Sequence, residues 1–91
     1  MPSYKAPLAD TRFVLNDVLR IGDYAHLPGF SELTPDLIDA ILEEGAKFVE
    51  QVLQPLNQVG DEVGCTRHAD GSVTAPPGFK EAYAQFCAGG W

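Results

Sequence analysis

The sequence predicts an all-α fold, a partial bundle of about three helices at about 10–21, 35–62 and 77–88, with a long loop before the last. Three stretches carry apolar residues at the spacing of a helix face, and clusters of glycine and proline separate them. The composition is 45% hydrophobic and 21% charged, which is typical of a folded globular domain. Because a core built from 91 residues is thin, we expect these helices to need further chain or a partner.

The first predicted helix runs from about Asp10 to Ile21, with Val14, Leu15, Val18 and Leu19 as its apolar stripe. Asp10 or Thr11 is expected to cap its start, and Gly22 to end it. Phe13 lies off the stripe. The helix is therefore expected either to contact apolar surface on two sides or to expose one aromatic ring at a frayed start.

An irregular connector is predicted from Asp23 to Leu33, with Pro28-Gly29 as its turn signal. His26 lies in this connector without a second coordinating group nearby. A surface or hydrogen-bonded histidine is therefore favoured over a metal ligand.

The second predicted helix is the longest. Thr34-Pro35-Asp36 is a strong start signal, because threonine accepts a free backbone N–H, proline suits the first helical position and an early carboxylate complements the helix dipole. Its apolar residues share one arc of roughly 160°, which suits packing against two neighbouring helices. Because Pro55 lacks a backbone N–H, we predict a kink near 52–56, after which the helix continues. The apolar arc comprises Leu37, Ile38, Ile41, Leu42, Phe48, Val49, Val52, Leu53, Leu56 and Val59.

A long loop is predicted between Gly60 and Pro77, since turn residues are dense there, with an extended excursion through Ser72-Val73-Thr74. The third helix then runs from about Pro77 to Ala88. Its apolar positions follow the i, i+3, i+4, i+7 spacing of one face, namely Phe79, Ala82, Tyr83 and Phe86.

The charge balance argues against two classes of partner. Six basic and thirteen acidic side chains give a net charge of -7, and the basic residues are scattered along the chain. Neither nucleic acid nor an anionic membrane surface is expected to bind, because both need clustered positive charge. The sequence shows no signal peptide and no apolar run of membrane-spanning length, so we expect a cytoplasmic protein with reduced Cys65 and Cys87.

No catalytic constellation is evident. Cys65, His68 and Asp70 are the one close set of metal-ligand types, but zinc normally needs a second pair of ligands, and an incidental loop is favoured. His68 could activate Cys65, although nothing suggests an oxyanion site, and Cys87 is interpreted as packing. The acid pairs 43–44 and 61–62 are interpreted as solubility charges, and the glycines lack nucleotide-binding spacing. We therefore predict no catalytic, cofactor-binding or metal-binding residue in this chain.

Two sets of residues carry a family resemblance. The first is Tyr4-Lys5-Ala6-Pro7-Leu8 with Phe13-Val14-Leu15 and Val18-Leu19. The second is Glu50-Gln51-Val52-Leu53-Gln54-Pro55-Leu56-Asn57, Gly60-Asp61, Gly64-Cys65, Asp70-Gly71-Ser72-Val73, Pro77-Gly78-Phe79-Lys80-Glu81-Ala82-Tyr83 and Gly89-Gly90-Trp91. Together they cover nearly the whole chain and resemble the long subgroup of acyl-CoA dehydrogenases that carries an N-terminal extension.

The resemblance implies two parts, an N-terminal extension helix with its connector at 1–33 and the first helices of the N-terminal helical domain, truncated, at 34–91. It also implies a homo-oligomeric flavoprotein of fatty acid metabolism that removes hydrogens from the α and β carbons of an acyl-CoA thioester. In that family a glutamate takes the α proton and FAD accepts a hydride. Both the glutamate and the flavin-binding residues belong to later domains, so none is transferred to this chain.

Two hypotheses follow. The favoured one is an N-terminal fragment of an FAD-dependent acyl-CoA dehydrogenase, inactive by itself, whose partners are the remainder of the enzyme or neighbouring subunits. The alternative is a stand-alone helical module that self-associates to cover the wide apolar face of the second helix.

Overall fold

The structure is a computed structural model that describes residues 3–91. It divides into two compact units, one formed by Lys5–Phe48 and the other by residues 3–4 with Val49–Trp91. The chain is mainly helical, with four α-helices and one pair of short strands in the described part. The helices are α1 (Leu8–Phe13), α2 (Pro35–Phe48), α3 (Leu56–Val63) and α4 (Phe79–Ala88), and the strands are β1 (Thr66–Arg67) and β2 (Val73–Thr74).

The predicted all-α class holds for most of the chain and needs one correction. Strands β1 and β2 pair antiparallel, with Thr66 opposite Thr74 and Arg67 opposite Val73. The hairpin can form because Gly71 adopts a positive φ of 89°, which the tight turn between the strands requires. The extended excursion predicted through 72–74 is thus present as strand β2, within the predicted long loop.

In the first unit, the first helix begins earlier than predicted. Helix α1 starts at Leu8, and the Thr11 hydroxyl donates a hydrogen bond to the Pro7 carbonyl at 3.0 Å instead of capping the helix. The predicted cap at Asp10 or Thr11 is therefore wrong. The backbone continues as a π-helical turn over Val14–Val18, in which the N–H of Leu19 bonds to the Val14 carbonyl.

The end of this helix also differs from the prediction. Arg20 adopts a left-handed conformation with φ of 50°, and a 3₁₀ turn over Ile21–Tyr24 follows it. Gly22 lies inside that turn, so the helix stops before the predicted glycine. Because arginine rarely adopts a positive φ, nothing in the sequence indicated that the helix would end at Arg20.

Arg12 joins α1 to α2 within the first unit. Its Nε lies 3.1 Å from Asp39 Oδ1, and its Nη2 lies 3.0 Å from Glu43 Oε1. The two acids are four residues apart and therefore lie on one face of α2, where a single guanidinium can reach both. Glu43 is thus an ion-pair partner and not only a solubility charge.

Helix α2 begins where the sequence predicts. Pro35 is its first residue, and the backbone N–H of Leu37 donates to the Thr34 hydroxyl at 3.2 Å. It ends earlier than predicted, at Phe48, because a π-helical turn follows over Val49–Leu53, with the N–H of Gln54 bonded to the Val49 carbonyl at 2.8 Å. A turn at 54–55 precedes α3. The predicted helix over 35–62 is therefore three segments, because Pro55 supplies no N–H and the backbone accommodates it by widening.

In the second unit, α3 and α4 pack closely through two glycines. A Cβ placed on Gly60 would lie 2.8 Å from Phe79 Cζ, and one on Gly78 would lie 2.8 Å from Leu56 Cδ2. Gly78 has a φ of 87° and immediately precedes α4, which begins at Phe79, two residues later than predicted. The turn at Pro77-Gly78 thus places the Phe79 ring against α3.

Little of the described chain is buried. Ala46, Pro76 and Ala82 are its only residues in the buried class. Large apolar side chains are instead exposed, including Leu37 at 41% and Ile41 at 44% on the arc of α2. None of the helices described for residues 3–91 has both the length and the apolar character to cross a membrane.

Replacing Gly78 with alanine is expected to lower the free energy of unfolding by about 2–3 kcal/mol. A residue with a Cβ loses about 1–2 kcal/mol in the left-handed region, and crowding of Leu56 adds to this. Gly71→Ala is the matched control, since Gly71 has a similar φ of 89° with open space around it and should lose the backbone contribution alone. Urea unfolding followed by circular dichroism measures both variants. Equal losses would contradict the close approach of Leu56.

Replacing Arg12 with methionine is expected to lower the free energy of unfolding by about 1 kcal/mol or less. The loss is small because Arg12 keeps a third of its side chain exposed and its partners about half. It should diminish in high salt, which screens exposed charges. Lys47→Met removes an ion pair to Glu44 at more exposed positions and should cause no measurable loss. Urea titrations in low and high salt test this, and a loss independent of salt would argue against an ionic contact.

Candidate functional site

The set Cys65, His68 and Asp70 forms part of the β-hairpin. His68 Nε2 lies 2.6 Å from Thr74 Oγ1, and the backbone N–H of His68 donates to the Ser72 carbonyl at 2.8 Å. His68 therefore bridges the two strands through both its side chain and its backbone. Cys65 is an exposed free thiol just before β1.

Asp70 stabilises the hairpin turn. Its Oδ1 accepts the backbone N–H of Ser72 at 2.9 Å and the Ser72 hydroxyl at 2.7 Å. These two donors favour the carboxylate and lower the pKa of Asp70 below its ordinary value. Within residues 3–91, no three histidine, cysteine or acidic side chains come together as a metal site would require. His68 and Asp70 thus stabilise the hairpin and its turn.

The other titratable candidates are engaged on helix surfaces. Glu44 accepts a hydrogen bond from Lys47 Nζ at 2.8 Å, and this contact raises the pKa of Lys47. Glu62 Oε1 accepts from Gln58 Nε2 at 2.7 Å, one turn earlier on α3. Cys87 is an exposed free thiol on α4, so its predicted packing role is not fulfilled among the described residues. These groups stabilise helices locally and do not converge on a common point.

A concave apolar surface lies in the second unit, between the segment 53–57 and α4. We call it the α3–α4 groove; its volume is about 380 Å³. Its polar groups are the Asn57 amide and the Tyr83 hydroxyl, and no charged side chain lines it. The lining residues are Leu53, Leu56, Asn57, Phe79, Ala82, Tyr83 and Phe86.

One wall of the α3–α4 groove is aromatic. Tyr83 and Phe86 stack with ring centroids 6.5 Å apart and an interplanar angle of 21°. Tyr83 is nevertheless 69% exposed, while Phe79 and Phe86 are 38% and 39% exposed. Exposed aromatic rings at the centre of an apolar depression are typical of protein–protein contact surfaces.

A second apolar depression of about 470 Å³ adjoins this groove in the same unit and shares Leu53 and Asn57 with it. Its other lining residues are Ser3, Tyr4, Val49 and Gln54. The sequence predicts the apolar spacing of the third helix but not these depressions. The apolar spacing of α4 indicates that one face of this helix makes contacts, but it does not indicate that residues 53–57 lie opposite that face.

The Asp70 carboxyl is expected to titrate at a lower pH in the folded chain than in the urea-unfolded chain. Because the folded-state pKa is depressed, the turn is stabilised above the unfolded pKa of about 3.9, and this is lost as pH falls through the folded value. NMR titration of the Asp70 side-chain carbon measures both midpoints. Ser72→Ala removes the hydroxyl donor and should raise the folded midpoint part of the way. Coincident midpoints in the folded and unfolded chains would refute the two hydrogen bonds.

Comparison with known proteins gives one informative relative. No family model matches the chain. The chain is 35% identical over 89 residues to a 3-methylmercaptopropionyl-CoA dehydrogenase of Ruegeria pomeroyi. The match covers 98% of the chain and 15% of the relative, so the chain spans a small part of that enzyme's length. The resemblance inferred from the residues is confirmed: nearly the whole chain is similar to part of an acyl-CoA dehydrogenase-type enzyme.

Proposed function

We propose that this chain is the N-terminal helical segment of an FAD-dependent acyl-CoA dehydrogenase, structural in role and inactive by itself. The observation that carries the proposal is the 35% identity across 98% of the chain to a dehydrogenase of which it spans only 15%. An alignment that covers nearly all of one chain and a small part of another is what a segment of a larger enzyme produces.

The exposed apolar surface supports a structural role. Leu37 and Ile41 on α2, and the rings of Tyr83 and Phe86 on α4, are all exposed to solvent at positions that the helix pattern marks as interior. Burying one such side chain contributes about 1.5–3 kcal/mol. The partial bundle therefore gains stability when the rest of the enzyme covers these faces.

The described residues do not fit FAD. A flavin dinucleotide carries a pyrophosphate, which needs free cationic side chains or a glycine-rich helix start. Arg12, Arg20 and Lys47 are paired with acids of the same chain. The other three cations, Lys5, Arg67 and Lys80, are scattered along the sequence and do not form a cluster. We therefore assign flavin binding, and the transfer of hydrogens from the acyl-CoA thioester, to other parts of the enzyme.

The wider proposal is a cytoplasmic homo-oligomer acting on an acyl-CoA thioester. The relative's name suggests the acyl-CoA thioester, and the family resemblance suggests the homo-oligomer. The alternative of a stand-alone self-association module has no support among the comparisons.

The test compares two proteins: the 91-residue chain alone and the full product of the reading frame that contains it. After incubation with FAD and desalting, the chain alone should be colourless and should not reduce an electron acceptor with acyl-CoA substrates. The full product should retain the flavin absorption band, and that band should bleach on addition of an acyl-CoA thioester. A full product without flavin, or a chain that binds FAD and turns over alone, would refute the proposal.

A further inference from the structure

The turn of the β-hairpin contains an aspartate followed by a glycine. Of the aspartates in the sequence, only Asp70 precedes a glycine, and neither asparagine does. An Asp-Gly pair is especially prone to form a succinimide, because a residue without a Cβ lets its backbone nitrogen approach the preceding carboxyl group with little hindrance. Asp70 and Gly71 are both exposed, so water reaches this pair. The hairpin turn is therefore a candidate site of covalent modification.

The reaction proceeds without an enzyme or a cofactor. The backbone nitrogen of Gly71 bonds to Cγ of Asp70, and its hydrogen leaves as water with one carboxylate oxygen and a proton from solvent. Water then cleaves one of the two ring C–N bonds that this nitrogen makes. Cleavage at Cγ restores aspartate, whereas cleavage at the backbone carbonyl carbon of Asp70 gives isoaspartate, in which the main chain runs through Cβ and Cγ. Nothing is oxidised or reduced, and the mass is unchanged.

The native turn holds both reacting groups in hydrogen bonds. The N–H of Gly71 donates to the His68 carbonyl at 3.0 Å, and Asp70 Oδ1 accepts the N–H and the hydroxyl of Ser72 at 2.9 and 2.7 Å. Ring closure consumes the proton of the Gly71 N–H, and it replaces the carboxylate with an imide carbonyl, which is a weaker acceptor. The lowered pKa of Asp70 also keeps the carboxyl ionised, while loss of its oxygen as water needs a proton. The folded turn therefore opposes the reaction.

We propose that Asp70-Gly71 is a site of spontaneous isoaspartate formation that the folded hairpin suppresses, so that conversion takes place when the hairpin opens. The two strands are two residues long each and exposed, and such segments open locally without global unfolding. The inference concerns the hairpin alone and does not rest on the proposed function.

Isoaspartate does not fit the register of the native hairpin. It adds one atom to the main chain between residues 70 and 71, whereas the pairing of Thr66 with Thr74 and of Arg67 with Val73 depends on the length of the turn. A hairpin that opens and converts therefore cannot close again in its original register. The modification makes a transient opening permanent.

The test measures isoaspartate at Asp70 in the full product of the reading frame, incubated at neutral pH either native or unfolded in guanidinium chloride. The water carries heavy oxygen, since hydrolysis of each succinimide incorporates one labelled atom, and chromatography separates the isoaspartyl tryptic peptide from the aspartyl one. Conversion should be at least about tenfold slower in the native product, because only a small fraction of hairpins is open at one time. Equal rates, or no conversion in the unfolded product, would overturn the proposal.

Three comparisons separate the turn from other causes. Asp61 precedes Glu62 and should convert far more slowly than Asp70 in the unfolded product. Gly71→Ala, measured in the unfolded product so that its effect on folding is immaterial, should slow conversion at Asp70 to a similar rate. Ser72→Ala removes the hydroxyl donor and should raise the native rate while leaving the unfolded rate unchanged. An unchanged native rate in Ser72→Ala would refute protection by the turn, and equal unfolded rates at Asp61 and Asp70 would refute the assignment to Asp-Gly.

Discussion

The contact between α3 and α4 depends on the absence of two side chains. Gly60 admits the Phe79 ring, and Gly78 both admits Leu56 and provides the positive φ that turns the chain into α4. With a Cβ at either position, the Phe79 ring or the Leu56 side chain would have to shift. Farther along α4, Tyr83 and Phe86 form an aromatic wall that remains exposed.

In both units, the contacts between helices leave large apolar side chains exposed. In the first, Arg12 holds α1 to α2 through two partly exposed ion pairs, contacts that contribute little to stability. Leu37 and Ile41 on α2 remain exposed, although their side chains would contribute more if buried. Polar contacts therefore join the helices of the first unit, apolar contacts at Gly60 and Gly78 join those of the second, and both units leave large apolar side chains exposed.

The residues considered as candidates for metal binding or catalysis make hydrogen bonds and ion pairs that stabilise local structure. Asp70 and Ser72 stabilise the turn, His68 joins the strands through Thr74, and the acids at 43 and 44 pair with cations of the same unit. The hydrogen bonds of these residues could not be predicted from their spacing in the sequence. The contact of His68 with Thr74 depends on which residues of the hairpin lie opposite one another, and the tight turn at Gly71 sets that register.

The sequence by itself determined the mainly helical character, the start of α2 at Thr34-Pro35 and the similarity to an acyl-CoA dehydrogenase. It also located the irregularity near Pro55, although the predicted continuous, kinked helix is three segments. These features follow from local rules of capping, backbone donors and apolar period, or from many matched positions. Tertiary structure decided the π-helical turns, the early start of α1, the Arg12 contacts and the α3–α4 groove. The Arg12 contacts and the α3–α4 groove depend on distances between residues far apart in the chain, and the turns at the helix ends depend on backbone geometry. Neither is encoded in the periodicity of a single segment.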